Sequence, residues 1–493
     1  MSIIAQLKAY SAEVTNLHHI LALMQWDQEV RMPRRAAAGR AEQFATLAAI
    51  VHRKEVAPAL GELLRAAAEE NRLTDAEQGL VRVMRRAHEQ SIRLPEAFVA
   101  DFSRLTAQAV DAWTTARQES DFGRFAPLLT RIVEMARQKA EYLGYGAEPY
   151  DALLDLHEEG LRTAVVEEIF AAMAGPLQQL ASRSLEVAQP RLELATSLAE
   201  EEQVRCSEEL LRCIGFDFSR GCLARSAHPF STTLGHHDRR VTNRYQPQGL
   251  EFLFGALHEG GHALYEQGID EALAHSHLDS GVSLGLHESQ SRLWENIIGR
   301  SRPFWHFWYP RLQERFPRQF EALAPETFYL AVNRVEPGLI RVDADEVTYN
   351  LHVFIRFELE KALLDGALAV ADLPAAWNEK YRQWLGVEVP RDGVGVLQDI
   401  HWAHGSIGYF PTYTIGNLAA VQIWQSYVRH DPDPDGTLAA GRFGTIRHWL
   451  GEQIYRHGSI YPPAELLRRV TGSALDPQPF LQYLRGKYTW LAP

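Results

Sequence analysis

Apolar residues recur at three- and four-residue spacing through most of the chain, the period of helices that bury one face. Leu17, Ile20, Leu21 and Met24 predict a first helix that breaks at Pro33. Ala36 to Val51 continues as an alanine-rich helix with a charged polar side. Thr74-Asp75-Ala76-Glu77 has the form of a capping box and opens a helix carrying Leu80, Val81 and Val83. Pro95 opens another, running to about Arg117 with Phe98, Phe102, Leu105 and Val110. Pro127 to Leu143 and Thr163 to Val187 repeat the pattern. From Phe216 to Tyr245 it changes: Gly, Ser, Thr and aromatics dominate, and Arg239 to Tyr245 reads as a short strand. Helical spacing resumes at Gln248 and holds to the end. Its clearest interruption is Arg429 to Gly436, where Asp431-Pro432-Asp433-Pro434-Asp435 predicts a surface loop. The expected fold class is mainly α with a small β element near residues 216–245.

Composition narrows the function classes. A chain of 493 residues, 46 % hydrophobic, can bury a large core. Length alone suggests two to four domains, although single helical enzymes reach this size. The net charge of −13 argues against nucleic acid and anionic membrane as partners. The one basic segment, Arg31, Arg34, Arg35 and Arg40, is short and diluted by alanine. Cys206, Cys213 and Cys222 match no metal or redox spacing, so free thiols in a reducing compartment are expected. Met1 to Gln6 lacks the basic and apolar regions of a signal peptide. No apolar run approaches the length of a membrane span. A cytoplasmic location follows as the expectation.

The chemistry concentrates in His258-Glu259-Gly260-Gly261-His262. Residues four apart share a helix face, so both imidazoles reach one ion while Glu259 lies to the flank, beside the position a water would take. Two fixed nitrogens, an open coordination position and an adjacent base are what zinc hydrolysis requires. The apolar run Gly249 to Leu257 predicts a buried helix, continued by Ala263, Leu264 and Tyr265 and stopped at Gly268. Gly260 and Gly261 each cost about 1 kcal/mol relative to Ala in a helix. Their missing side chains would leave room for a peptide beside the metal. The competing reading is a buried helix with two satisfied histidines. A third ligand is required, and the stretch His287 to Asn296 offers His287, Glu288 and Glu295. Spacing does not choose among them, since Glu288 and Glu295 share a face. The plainer reading of that stretch is a solvated helix face with Arg292 paired to one glutamate.

Five motifs in order resemble the carboxypeptidase Taq family, the M32 metallocarboxypeptidases. They are Asp238-Arg239-Arg240-Val241-Thr242, which follows His228-Pro229-Phe230; His258 to His262; His287-Glu288-Ser289-Gln290-Ser291; Ile340-Arg341-Val342-Asp343-Ala344-Asp345; and Gly395 to Trp402, containing Gln398-Asp399 and His401. Phe410-Pro411-Thr412-Tyr413, Trp26-Asp27-Gln28 and Met32-Pro33 add to the likeness, which runs from about residue 20 to the C-terminus. Gly221-Cys222-Leu223-Ala224-Arg225-Ser226 departs from the family pattern before His-Pro-Phe, which leaves the role of that loop open.

The resemblance implies Glu288 as third ligand beside His258 and His262. It implies one catalytic domain over residues 1–493, with two helical lobes flanking a deep substrate groove as in zinc peptidases of the neurolysin and angiotensin-converting-enzyme type. It also implies a homodimer, zinc as the usual metal with cobalt able to replace it, and release of single C-terminal residues with broad specificity but poor action on C-terminal proline. The partners expected are peptides with a free C-terminus. Glu259 is then the general base. Arg341 matches the family's substrate-binding arginine, with an ion pair to Asp343 or Asp345 as the alternative. His401, Tyr409 and Tyr413 are candidates to donate hydrogen bonds to the developing oxyanion. Gln398 and Asp399 would orient neighbours. Asp238, Arg240 and Thr242 read as structural, bracing the metal helix. A zinc endo-oligopeptidase or dipeptidyl carboxypeptidase is the near alternative, and a non-catalytic helical binding scaffold the distant one.

Overall fold

The computed structural model describes residues 2–192, 194 and 196–491. Two compact units emerge, each assembled from three stretches of chain. The first holds Met1–Ile92, Arg191–Val332 and Ala419–Ala474; the second holds Arg93–Pro190, Asn333–Leu418 and Leu475–Pro493. Among the described residues no helix is long and apolar enough to cross a membrane.

The first unit opens with the helix Ile3–Val30, followed by Ala37–Glu55 after the turn at Pro33. The capping box forms as expected. The Thr74 amide donates to Glu77 Oε2 (3.1 Å), and the Glu77 amide donates to Thr74 Oγ1 (3.3 Å), opening Asp75–Arg93. Leu7, Leu60, Leu64, Leu80 and Met84 pack with Ile269, Leu273 and Leu278. Each such side chain contributes about 1.5–3 kcal/mol over exposure. This cluster therefore fixes residues 269–278, which join the helix Glu251–Gln267 to the helix Leu284–Arg292.

A three-stranded sheet occupies the predicted β region. Strands β1 (Gly221–Arg225), β2 (Ser231–Gly235) and β3 (Asp238–Asn243) lie in the order β1-β3-β2, with β1 parallel and β2 antiparallel to β3. The stretch that departs from the family pattern is thus edge strand β1. Alternation along β3 sends Arg239, Val241 and Asn243 to one face. Asn243 Nδ2 donates to the Phe252 carbonyl (2.7 Å), tying the sheet to the helix Glu251–Gln267. That metal helix stops at Gly268, as expected. It packs between Glu200–Ile214 and Leu284–Arg292.

The two motif glycines serve this packing, not substrate clearance. A Cβ on Gly260 would lie 2.7 Å from Leu211 and 2.9 Å from Ile214. One on Gly261 would lie 2.6 Å from the Gln290 carbonyl oxygen and 2.8 Å from Ser291 Cα. Both are points where a neighbouring helix comes close.

In the second unit the helix Tyr349–Asp365 is buried along nearly its whole length, with Leu351, Val353, Phe354, Ile355, Phe357 and Leu359 inside. Pro149–His157, Phe122–Leu143, Thr163–Glu186 and Leu373–Leu385 pack around it.

Two further expectations, about where helices begin and end, are corrected. The helix assigned to Pro127–Leu143 begins at Phe122. Pro127 removes one backbone hydrogen bond there, which burial of Phe122 and Phe125 offsets. The loop expected at Arg429–Gly436 shrinks to three residues, because one helix runs to His430 and another starts at Pro434. Pro434 sits at the first helical position, where its missing N–H costs nothing, and Asp433 caps it by accepting from the Gly436 amide (3.0 Å).

Candidate active site

His258 and His262 stand one turn apart on the metal helix, and Glu288 faces them from Leu284–Arg292. Nε2 of His258 lies 3.7 Å, and Nε2 of His262 3.4 Å, from the same Glu288 Oε2. These donors all fall within 4.8 Å of one another, the one such group found among the described residues.

The remaining atoms of each ligand are taken up elsewhere. His258 Nδ1 is 2.8 Å from Glu295 Oε2. His262 Nδ1 is 2.5 Å from His287 Nδ1, and His287 Nε2 is 3.0 Å from Glu266 Oε1. With Nε2 given to a metal, His262 carries its proton on Nδ1, donates to His287, and His287 in turn donates to Glu266. Glu266 also accepts from the Gly281 amide (2.8 Å) and the Thr233 hydroxyl on β2 (2.9 Å). Arg292 Nε donates to Glu288 Oε1 (2.7 Å), which leaves Oε2 toward the imidazoles. Two Nε2 lone pairs and one carboxylate oxygen, each with its back held, suit a four-coordinate ion with one open position.

Electrostatics agree. Burial disfavours a charged His258, but Glu288 and Glu295 outweigh it and raise the imidazole to about 9. Burial, with His287 and His258 close by, lowers His262 to about 4, so that ring is neutral at physiological pH, as a metal ligand must be. Burial pushes Glu259, 7 % exposed, up to about 7, in the range that suits a base at neutral pH.

The stretch after Glu288 is buried and is not the solvated face of the plainer reading. Leu293–Ile298 widens into a π-helical turn, closed by the Gly299 amide donating to the Trp294 carbonyl (2.9 Å). Leu293, Trp294, Ile297 and Ile298 pack inward while Glu295 reaches His258. Glu295 and His287, which spacing left open as ligands, are the groups hydrogen-bonded behind the two histidines. Glu266 escaped sequence reasoning. Its one signal was its place four residues after His262, on the same face.

A second cluster lies in the second unit. Arg341, 3 % exposed, donates from Nε (3.1 Å) and Nη2 (2.8 Å) to Asp399 Oδ1, and from Nη1 to the Tyr349 hydroxyl (2.9 Å). Its backbone amide donates to Gln398 Oε1 (3.0 Å), and its guanidinium lies 4.7 Å from the Tyr413 ring centre. The other Asp399 oxygen accepts from Arg356 Nε (2.8 Å). Burial would raise Asp399, but Arg341 and Arg356 hold it well below the usual carboxylate range. Two guanidiniums sharing one carboxylate leave a net positive charge. Arg356 belongs to no motif and was not identified from sequence. The pairing of Arg341 with Asp343 or Asp345 is not found; Asp345 instead accepts the amides of Val347 and Thr348 at the start of Tyr349–Asp365.

His401 Nε2 is 3.1 Å from the Tyr413 hydroxyl, and its ring packs on Phe410 and Tyr409. Burial lowers His401 to about 3, so the ring is neutral at physiological pH.

The Asp238, Arg240 and Thr242 side chains are engaged away from the metal helix. Arg240 grips Asp238 with two hydrogen bonds (2.9 and 2.8 Å) and lies over the Trp26 ring at 4.3 Å. Thr242 Oγ1 accepts from the Phe230 amide (2.9 Å) and the Ser226 hydroxyl (2.7 Å), securing the His228-Pro229-Phe230 turn. The metal helix is instead reached from the other face of β3. Arg239, between Glu266 (3.7 Å) and Asp279 (2.6 Å), and Asn243 make that contact.

Known proteins share this whole plan. The carboxypeptidase Taq (M32) metallopeptidase model matches residues 6–488. Thermostable carboxypeptidase 1 of Pyrococcus furiosus is 40 % identical over 98 % of each chain. Its namesake in Thermus thermophilus is 41 % identical over 98 % of this chain and 97 % of the other. The crystal structure of the M32 carboxypeptidase from Deinococcus radiodurans R1 superposes with a TM-score of 0.97 at 41 % identity, over 100 % of this chain and 99 % of that one. With a metal-ligand geometry in place and matches that run end to end, the chain belongs to the M32 metallopeptidases and is a metal-dependent carboxypeptidase acting on peptides.

Proposed function

We propose that the enzyme uses zinc, held by His258, His262 and Glu288, to release single C-terminal amino acids with broad specificity and poor action on C-terminal proline. The observation that carries the metal chemistry of this reading is the approach of two Nε2 atoms and one Glu288 oxygen to a common point, and the specificity rests on the family resemblance. Two imidazoles and a carboxylate are a donor set of catalytic zinc, and cobalt accepts the same ligands. When bound, zinc supplies the Lewis acid that makes a water nucleophilic at neutral pH. Glu259 takes the proton from the attacking water and delivers it to the leaving amine. Glu295 on one side, and His287 with Glu266 on the other, keep the imidazoles turned with Nε2 outward.

Arg341 reads the C-terminal carboxylate. Asp399 and Tyr349 hold the guanidinium through three of its N–H groups, and a guanidinium so fixed suits a carboxylate, which it can bind through two parallel N–H groups. Gln398 and Asp399 hold it in that pose. Neutral His401, with Tyr409 and Tyr413, donates to the developing oxyanion. The three cysteines are free thiols, which supports a cytoplasmic setting, and we propose a homodimer on the family resemblance.

The reading is tested by digesting a blocked peptide of several residues with zinc-loaded and zinc-stripped protein, following products by mass. Zinc-dependent loss of one residue at a time is expected, with the amidated peptide resistant and Arg341→Ala impaired on the free acid alone. Two-residue steps or internal fragments would favour the dipeptidyl or endopeptidase alternative, and no metal-dependent product the scaffold.

A further inference from the structure

Glu360 sits midway along Tyr349–Asp365 and is fully buried. A buried carboxylate without a cation of its own is costly, and an apolar residue would fill the space without that cost. Arg356, one turn earlier, is committed to Asp399. What Glu360 has are three donors. Oε1 accepts from the Trp402 indole N–H (2.8 Å), and Oε2 from the Gly408 amide (3.0 Å) and the Tyr150 hydroxyl (2.7 Å). Trp402 and Gly408 are the two ends of one segment, and the residues just outside them are His401 and Tyr409. Gly408 has φ +89°, and a Cβ there would lie 2.9 Å from the Leu153 backbone, so the segment is seated tightly on Pro149–His157. Tyr409 in turn packs edge-on against His157 of that helix.

We infer that Glu360 is a positioning residue: its carboxylate clamps both ends of the 402–408 segment and thereby sets His401 and Tyr409. The inference rests on the role proposed above for those two side chains. A full clamp needs an ionised Glu360, because a protonated carboxyl turns one acceptor into a donor. Burial pushes Glu360 up to about 7 despite its donors. The titratable and charged groups around it are Tyr150, whose hydroxyl burial holds well above its ordinary value, and Arg356 on its own helix; His157, bonded to the segment at Ile407, is lowered by burial to about 4, and His404 within the segment is also lowered by burial. The clamp is therefore complete above that pH and loosened below it.

Two measurements on the full-length, metal-loaded enzyme test this. In 15N-indole-labelled protein, the Trp402 N–H signal, assigned by its loss in Trp402→Phe, should shift in one transition centred near pH 7. In Glu360→Gln that transition should vanish, and kcat should fall about ten- to a hundredfold with a smaller change in KM, the cost of misplaced donors. A Trp402 signal that does not titrate overturns the clamp, and wild-type kcat in Glu360→Gln overturns its positioning role. Should Glu360→Gln not fold, Tyr150→Phe removes one donor and keeps the ring. The Trp402 transition should then move to higher pH, and an unmoved transition overturns the inference. Unchanged kcat in both His401→Ala and Tyr409→Phe removes the reading beneath the proposal, and it does so without altering the Trp402 titration, so the two failures are distinguishable.

Discussion

At His258 and His262 both nitrogens of each imidazole are spoken for, Nε2 toward Glu288 and Nδ1 toward Glu295 or His287. The Nδ1 partner fixes tautomer and ring angle, and such partners are worth about 10–100-fold in metal affinity. Glu295→Ala and His287→Ala should each weaken metal binding by about that factor in a chelator competition. Unchanged affinity would mean that these contacts do not orient the ligands. Asp399 presents the opposite situation, one carboxylate between two buried guanidiniums. Asp399→Asn should cost about 3–5 kcal/mol in denaturant unfolding, since it leaves buried positive charge uncompensated. The pH sign follows from its depressed value: Asp399 adds stability above its unfolded pKa of about 4, and that contribution is lost only as pH falls through the much lower folded value. Mild acid should therefore leave the Arg341 cluster intact. Sequence could name His258, Glu259 and His262, because their spacing is itself the geometry. It could not separate Glu288 from Glu295 or His287, since all three are within reach of the site and only tertiary packing turns Glu288 toward the two Nε2 atoms and the other two toward Nδ1. Arg356 carried no local signal, as its meaning comes from Asp399 on a distant stretch.

Between elements the controlling contact is the close approach of the metal helix to its neighbours. Gly260 meets flexible side-chain ends of Leu211 and Ile214, whereas Gly261 meets backbone at Gln290 and Ser291. Alanine gains about 1 kcal/mol of helix propensity at either position. At Gly261 the clash should exceed that gain, because the ligand-bearing helix must shift, with overpacking costing about 1–3 kcal/mol. Gly261→Ala should thus lose both stability and metal affinity, while Gly260→Ala loses less of each; denaturant titration and chelator competition measure the two effects. Equal behaviour of the two variants would contradict this packing account. From sequence these glycines read as room for substrate, because a one-dimensional pattern does not say what lies opposite a missing side chain. The short loop at 431–433 was overestimated for a related reason. Asp-Pro punctuation marks a helix start as readily as a loop, and the cap geometry decides.

Across the whole molecule, the mainly helical class and the small β element were legible because periodicity is a local property. Two lobes were implied by the resemblance alone, and the boundaries between the two units were not legible. Each is built from three separate stretches, and no linker composition marks the crossings near Ile92 or Val332. The proposed metal ligands His258, His262 and Glu288, with Glu259, belong to the first unit, and Arg341, Asp399, His401, Tyr409 and Tyr413 to the second. In the proposed mechanism the first unit's cluster is the chemical centre and Glu259 its base. Metal content and kcat/KM on a free-acid peptide, measured on one preparation of Glu259→Gln, test that most directly. One bound metal per chain is expected, as in the unmodified protein, with turnover reduced about 10²–10⁴-fold. Full metal occupancy with near-normal release of the C-terminal residue would contradict it.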